Sequence, residues 1–158
     1  MQLTTMQDIG GCRAVLSDVD EVRRVQRRWT RTSHRVVRVY DYMTHAKPSG
    51  YRGVHVIVEY DGFQIEVQLR TRLQHAWGIA IEKVGPLIGA DLKSGEGPAE
   101  VLDLFRTFGD VLAHAEDLPA DDPSGGEFLE VVQAVSPEIL QLVGLQVHDD
   151  RIRLVLPE

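Results

Sequence analysis

Two alternating runs, GVHVIVEY (53–60) and FQIEVQLR (63–70), flank the dipeptide Asp61-Gly62. Period-two alternation on both sides of an Asp-Gly pair specifies an antiparallel hairpin, because those two residues tolerate the positive φ angles of a tight turn. With Tyr60 opposite Phe63, the register pairs Val58 with Ile65, Val56 with Val67 and Val54 with Leu69. A slip of one residue would carry all six to the other face, so the apolar face sets the register. The opposite face then pairs Ile57 with Glu66, His55 with Gln68 and Gly53 with Arg70. Diagonal neighbours in such a ladder lie about 7–8 Å apart, so His55 and Glu66 reach one bound ligand. Any half-exposed sheet alternates polar and apolar. This face stands out by the identity of its groups: an acid, an imidazole, an amide and a guanidinium, following a Lys47-Pro48-Ser49-Gly50-Tyr51-Arg52 loop.

The flanking segments predict what the hairpin pairs and packs with. Residues 9–16, IGGCRAVL, read as a strand, with Cys12 as a small core residue. Either Ser17 with Asp20 or Asp18 with Glu21 caps the helix that follows, where Val19, Val22, Val25 and Trp29 recur at helical spacing. Its other face carries Arg23, Arg24, Arg27, Arg28 and Arg31, and a solvated face is the ordinary explanation of such a run. Residues 35–42, RVVRVYDY, read as a strand in which Val37 and Val39 alternate. In the loop beyond it, Pro48 disfavours helical geometry at Lys47, and Gly50 allows close backbone approach.

After Thr71, the residues Leu73, Ala76, Trp77, Ala80, Ile81 and Val84 form the apolar stripe of a helix. Gln74, His75, Gly78 and Glu82 share its other side, and Gly85-Pro86 is expected to stop it. Pro98 suits the first turn of a further helix over 98–116. LPADDPSGGE (118–127) reads as a linker. Short apolar helical patterns follow, one starting at Ser136-Pro137-Glu138, and then a hairpin around Asp149-Asp150. The expected organisation is a domain over 1–117, with a linker and small accessory segment over 118–158.

The 158 residues suit one globular domain, and the single cysteine leaves no disulfide within the chain. No apolar run approaches membrane-spanning length, and the first residues lack a secretory pattern, so a reduced cytosol is the default compartment. The formal net charge of −7 taken alone argues against a general nucleic-acid binder. The average conceals a split. Residues 1–55 hold ten Lys/Arg against five Asp/Glu, a sum of +5, while residues 56–158 sum to −12. A basic first third in an acidic chain is an asymmetry that marks phosphate-handling surfaces. There is no Walker loop, G-x-G-x-x-G, zinc spacing or serine-hydrolase elbow. Asp8, ahead of Gly10-Gly11, makes a Mg²⁺ site only in company, since two converging carboxylates plus substrate phosphates are the usual arrangement. Glu66 is its candidate partner.

Three blocks, DIGGCRAVL, YDYMTHAKPSGYRGVH and IEVQLRTRLQHAWGIAIEKVG, in this order and spacing, closely resemble the synthetase domain of the RelA/SpoT family. The resemblance covers roughly residues 7–86. It implies an α/β (α+β) fold of nucleotidyltransferase-like type, a mixed five-stranded sheet flanked by helices. The implied activity is pyrophosphate transfer from ATP to the 3′-hydroxyl of GDP or GTP, with Mg²⁺ as cofactor and alarmone as product. Carried over residue by residue, Asp8 and Glu66 match the metal-binding acids, and Glu66 also activates the acceptor hydroxyl. Tyr51 matches the tyrosine that stacks on guanine, Lys47 and His55 match residues around the acceptor nucleotide, and Gln68 and Arg70 belong to the same EVQLRT motif. Ser49 stands where the family more often has Asn, and Gly53 where Ser is common. The family's basic ATP-holding residues lie on helices upstream of the Asp8 block, where only seven residues, none basic, stand here. The expectation is a fragment, a misplaced start, or a chain that does not hold ATP in the usual way. The LQHAW variant resembles stand-alone synthetase-domain proteins, some of them toxins. A tRNA 3′ end is therefore an alternative acceptor, and a non-catalytic guanine-nucleotide or RNA-binding module an alternative class. No membrane partner is expected, and a homo-oligomer is allowed.

Overall fold

The computed structural model describes residues 10–32, 35–119, 130, 133, 137–142, 144–148 and 151–155. The elements run β1 (Gly11–Leu16), α1 (Val19–Arg31), β2 (Arg35–Asp41), β3 (Val54–Tyr60), β4 (Phe63–Thr71), α2 (Arg72–Ile88), α3 (Ala99–Ala115), α4 (Pro137–Leu142), β5 (Leu145–His148) and β6 (Arg151–Leu154). They form two compact units, Met1–His45 with Arg52–Arg72, and Ala46–Tyr51 with Leu73–Glu158. No helix among the described residues is long and apolar enough to cross a membrane.

The first unit is built on a mixed sheet of order β1-β4-β3-β2. β3 and β4 pair in the expected register, from Tyr60–Phe63 through Val58–Ile65, Ile57–Glu66, Val56–Val67 and His55–Gln68 to Val54–Leu69. Asp61 and Gly62 both take positive φ, 50° and 80°, as a tight Asp-Gly turn requires. The expected Gly53–Arg70 pair does not form. Gly53 instead presents its carbonyl to the Tyr42 amide at 2.9 Å, on the β2 side. β1 joins β4 in parallel and β2 joins β3 antiparallel, so a local hairpin becomes the centre of a mixed sheet.

That sheet has four strands among the described residues rather than five. The last strand-forming stretches are spent on each other: β5 and β6 form their own antiparallel ladder, ending at His148–Arg151 and bracketing the Asp149-Asp150 position expected for a hairpin. The expected linker falls largely on residues 120–129, which lie outside the described residues.

β2 departs from simple alternation. Val36 pairs with Val58, but Arg38, not Val37, pairs with Ile57, so Val37 is the extra residue of a β-bulge and stands 44% exposed. Without it, Arg38 rather than Val39 would oppose Val56 on the apolar face, so the bulge keeps Val36 and Val39 together there. That face is buried by Val54, Val56, Val58, Val67 and Leu69, all at most 5% exposed. Asp41 pairs with Val54 in the ladder and receives Arg23 of α1 at 2.7 Å, which places α1 over this same face with Val22 fully buried.

α1 starts at Asp18, whose side chain accepts the Glu21 amide at 2.8 Å. The Ser17 amide and hydroxyl return bonds to the Glu21 carboxylate. Of the two caps read from sequence, the Asp18–Glu21 one forms, and these bonds hold both carboxyls below their ordinary range. Cys12 is exposed rather than in the core. Among the described residues β1 is an edge strand, and Cys12 stands near its start, opposite Val67.

In the second unit, α2 buries Trp77, Ala80, Ile81 and Val84 as the stripe predicted. It does not stop at Gly85-Pro86. Pro86 begins its last turn, and the end comes at Gly89, φ +66°, where Ala90 N–H bonds the Gly85 carbonyl and Gly89 N–H bonds the Pro86 carbonyl. This is a Schellman motif, and it satisfies the carbonyls that a helix end leaves open. Gln74 is buried rather than exposed, donating to the Glu116 carboxylate at 2.9 Å. α3, entered through Pro98, buries Leu104, Phe105, Phe108 and Leu112.

Candidate active site

Sheet order and register place four side chains in one row across the first unit. Tyr40 pairs with His55, His55 with Gln68, and Gln68 with Arg13, so β2, β3, β4 and β1 each contribute one residue to the face opposite α1. Glu66 and Arg70 flank Gln68 at i−2 and i+2 and share that face.

The groups are bonded to one another in sequence. His55 Nδ1–H donates to Glu66 Oε1 at 2.8 Å, and Gln68 Nε2–H donates to Glu66 Oε2 at 2.6 Å. Gln68 Oε1 accepts from Arg70 Nη2 at 3.0 Å and from Arg13 Nε at 3.3 Å. The two guanidinium donors settle which end of the amide is oxygen, and so turn its NH₂ toward Glu66. A carboxylate only accepts, so the His55 proton facing it sits on Nδ1. Glu66 is thus gripped at both oxygens and keeps 26% of its side chain exposed, while His55 and Arg70 are 7% and 5% exposed. The face is not uniformly solvated: Ile57, beside Glu66, is fully buried, while Arg13 at the β1 edge is exposed.

Local sequence reading passed over Tyr40, Tyr42 and Arg13. The Tyr42 ring meets the His55 ring edge-on, 5.2 Å between centroids and 85° between planes, and lies nearly parallel to Tyr40 at 6.0 Å. Burial, with smaller contributions from Tyr40 and the Glu66 charge, raises the Tyr42 hydroxyl above its ordinary pKa. The signal was the i, i+2 spacing in Tyr40-Asp41-Tyr42, legible only once β2 is registered against His55. Asp41 points the other way and anchors the turn. Its Oδ1 accepts the Met43 and Thr44 amides, both at 3.1 Å, and its Oδ2 accepts Arg23. Burial pushes this carboxyl up, but Arg23 and Thr44 outweigh it and leave the group below its ordinary range. Arg23 is therefore not part of a uniformly solvated arginine face.

Lys47 and Tyr51 belong to the second unit. Their loop closes on itself, Gly50 N–H to the Lys47 carbonyl at 2.8 Å and Lys47 N–H to the Tyr51 carbonyl at 3.1 Å. Gly50 has φ +86° and lies so close to α3 that a Cβ there would stand 2.7 Å from the Phe105 carbonyl oxygen. Tyr51 is 8% exposed; its ring tilts against Trp77 at 5.9 Å, and the Lys47 ammonium lies 5.3 Å from its centroid. Trp77 in turn donates Nε1–H to the Phe105 carbonyl at 2.9 Å. Glu82 is a surface acid paired with Lys93 at 2.6 Å.

Asp8 lies outside the described residues. The Gly10 carbonyl accepts the Glu66 amide at 3.1 Å, so the chain enters β1 beside Glu66, two residues after Asp8. Among the described residues no three His, Cys, Asp or Glu side chains cluster as a metal cage. A partly exposed carboxylate of fixed orientation suits Mg²⁺, which takes one or two carboxylates and completes its shell with water and substrate phosphates. The chemistry of Glu66 fits that ion.

The fold is matched in solved proteins. Over 73% of this chain and 62% of the other, the structure superimposes with a TM-score of 0.61 and 23% identity on small alarmone synthetase 1 from Bacillus subtilis, solved with its product pppGpp. A GTP pyrophosphokinase family protein from Streptococcus pneumoniae matches over 89% of this chain and 65% of its own, with a TM-score of 0.59 and 25% identity. The fold is that of a small alarmone synthetase. The sequence profile of the region found in RelA/SpoT proteins matches residues 1–83, and the chain belongs to the RelA/SpoT family. A curated relative, the GTP pyrophosphokinase YjbM of Bacillus subtilis, is 33% identical over 85 residues, 48% of this chain and 40% of that protein. The chain thus spans well under half of that relative's length.

Proposed function

We propose that the chain transfers pyrophosphate from ATP to the 3′-hydroxyl of GDP or GTP. The observation that carries the proposal is the Glu66 carboxylate, oriented at one oxygen by His55 and at the other by Gln68, in a chain of this family. In the reaction the acceptor 3′-oxygen bonds to the β-phosphorus of ATP, the bond from that phosphorus to the α,β-bridging oxygen breaks, and AMP departs. The acceptor proton passes to Glu66. A positioned carboxylate base is typically worth ~10²–10⁴-fold. Glu66 and, as the family resemblance implies, Asp8 would hold Mg²⁺, which would neutralise phosphate charge when bound.

The other residues position and discriminate. Transfer of this type needs alignment and charge stabilisation more than covalent help. Arg70 and Arg13 act through Gln68, holding its amide so that Glu66 keeps one orientation. His55 holds the second oxygen and carries its ring proton at a defined atom. Tyr51 is the stacking surface for guanine, and Lys47 a point charge for its phosphates.

The test is incubation with ATP labelled at the γ-phosphate, GDP or GTP, and Mg²⁺. Label on the guanine nucleotide, abolished by Glu66→Gln, is the expected result. Label on added tRNA in place of the nucleotide would assign the acceptor to a tRNA 3′ end. Binding of guanine nucleotide without any transfer would make the chain a binding module.

A further inference from the structure

The reaction leaves one surface of the first unit unused. Arg24, Arg27, Arg28 and Arg31 recur at i, i+3, i+4 and i+7 along α1, share one helical face, and are all exposed. Arg23 is different in kind, half-buried and committed to Asp41 and Thr44. The acids of α1 are confined to its first turn, Asp20 and Glu21. Arg24 is the member of the stripe that feels the charges at this end, those of Asp18 and Glu21. Arg27 and Arg28 have at helical spacing only other arginines or uncharged residues, and among the described residues Arg27, Arg28 and Arg31 make no ion pair. Like charges one turn apart destabilise a helix. The negative helix C-terminus relieves Arg28 and Arg31 in the last turn, and Arg27 not at all.

We propose that this stripe docks the phosphodiester backbone of a nucleic-acid strand, without reading its bases. Four guanidinium groups and no ammonium make a set of planar forks that match phosphate oxygens. The stripe rises over seven residues, about 10 Å, and neighbouring side chains stand about 5–6 Å apart. No aromatic residue lies on this face, which removes base stacking as a source of sequence preference. A lipid surface is a poor occupant, because the apolar face of α1 is committed to the sheet through Val22 and is not available to enter a bilayer. In a chain of net charge −7, the stripe is also a local reversal of sign that orients an approaching polyanion.

The experiment is fluorescence anisotropy of a labelled 20-nucleotide oligo(U) with the full chain, titrated at several salt concentrations. The triple variant Arg27→Gln/Arg28→Gln/Arg31→Gln should bind at least tenfold more weakly. The slope of its log affinity against log salt should be shallower by about 2, three contacts at ~0.7 each. Arg31→Gln alone should lower the slope by about 0.7 and covers the case in which the triple variant does not fold. Lys93→Gln/Arg106→Gln, two cations of the other unit, should leave the slope unchanged, and oligo(dT) should bind much as oligo(U) does. An unchanged slope in the arginine variants overturns the proposal. So does competition by polyglutamate as strong as by unlabelled oligo(U), which would mark a protein partner. The readout is binding alone, so its failure is distinct from failure of pyrophosphate transfer.

Discussion

Gln68 donates to Glu66 at 2.6 Å through its amide nitrogen, while Arg70 and Arg13 hold its amide oxygen. The amide is a relay: two guanidinium groups fix its orientation, and it fixes the carboxylate. Gln68→Leu removes the relay without adding volume to the sheet. A hydrogen bond to a charged group is worth ~1.5–3 kcal/mol, and each 1.36 kcal/mol in the barrier is about tenfold in rate. The kcat of label transfer, measured well below the melting transition, should therefore fall about 10- to 150-fold. The melting temperature should also drop, because the buried Arg70 loses an acceptor. A variant with parental kcat would show that Glu66 needs no such support.

The Arg23–Asp41 pair ties α1 to the turn after β2. The Asp41 carboxyl lies below its ordinary range in the folded chain, so the pair contributes stability above the unfolded value of about 3.9. That contribution is lost as pH falls through the lower folded value. Asp41→Asn keeps an oxygen for the Met43 and Thr44 amides and removes only the charge. It should melt below the parent at pH 7, with the difference closing as pH drops below about 4. Asp41→Ala should cost more, because both amides lose their acceptor. Equal melting curves for parent and Asp41→Asn at pH 7 would contradict this.

Gly50 and Gly89 both adopt left-handed φ, +86° and +66°, yet they differ in surroundings. Nothing lies within 4 Å of a Cβ at Gly89, whereas one at Gly50 meets the α3 backbone at 2.7 Å. Gly89→Ala should cost only the conformational penalty, roughly 1–2 kcal/mol. Gly50→Ala should cost clearly more and also disturb the Lys47–Tyr51 loop. Denaturant melts of both variants give the comparison, and equal losses would mean that the loop is not held against α3 as described.

What could be read from sequence divides by range. The β3–β4 hairpin was legible to the residue, because Asp61-Gly62 and the valine alternation are local and agree. The α2 stripe was equally plain. Its end was not, because a proline ordinarily stops a helix, whereas here Pro86 opens the last turn and Gly89 closes the helix. The bulge at Val37 was invisible for a related reason: Val37 and Val39 alternate on paper, and only the ladder with β3 shows that Val36 and Val39 share the buried face. Of the bonded row, His55, Glu66, Gln68 and Arg70 were visible within one hairpin. Arg13 and Tyr40 join it through pairings 55 and 15 residues away in sequence, and no local pattern carries such pairings. Cys12 was misplaced because edge or centre is a property of the sheet, not of the strand.

The most direct measurement is transfer of radiolabel from γ-labelled ATP in the presence of Mg²⁺ and GDP. Label should move onto the guanine nucleotide with the parent chain and stay on ATP with Glu66→Gln, while guanine-nucleotide binding and melting temperature change little. Transfer at the parental rate by Glu66→Gln, or binding of both nucleotides by the parent with no transfer, would contradict a pyrophosphotransferase that uses Glu66 as its base.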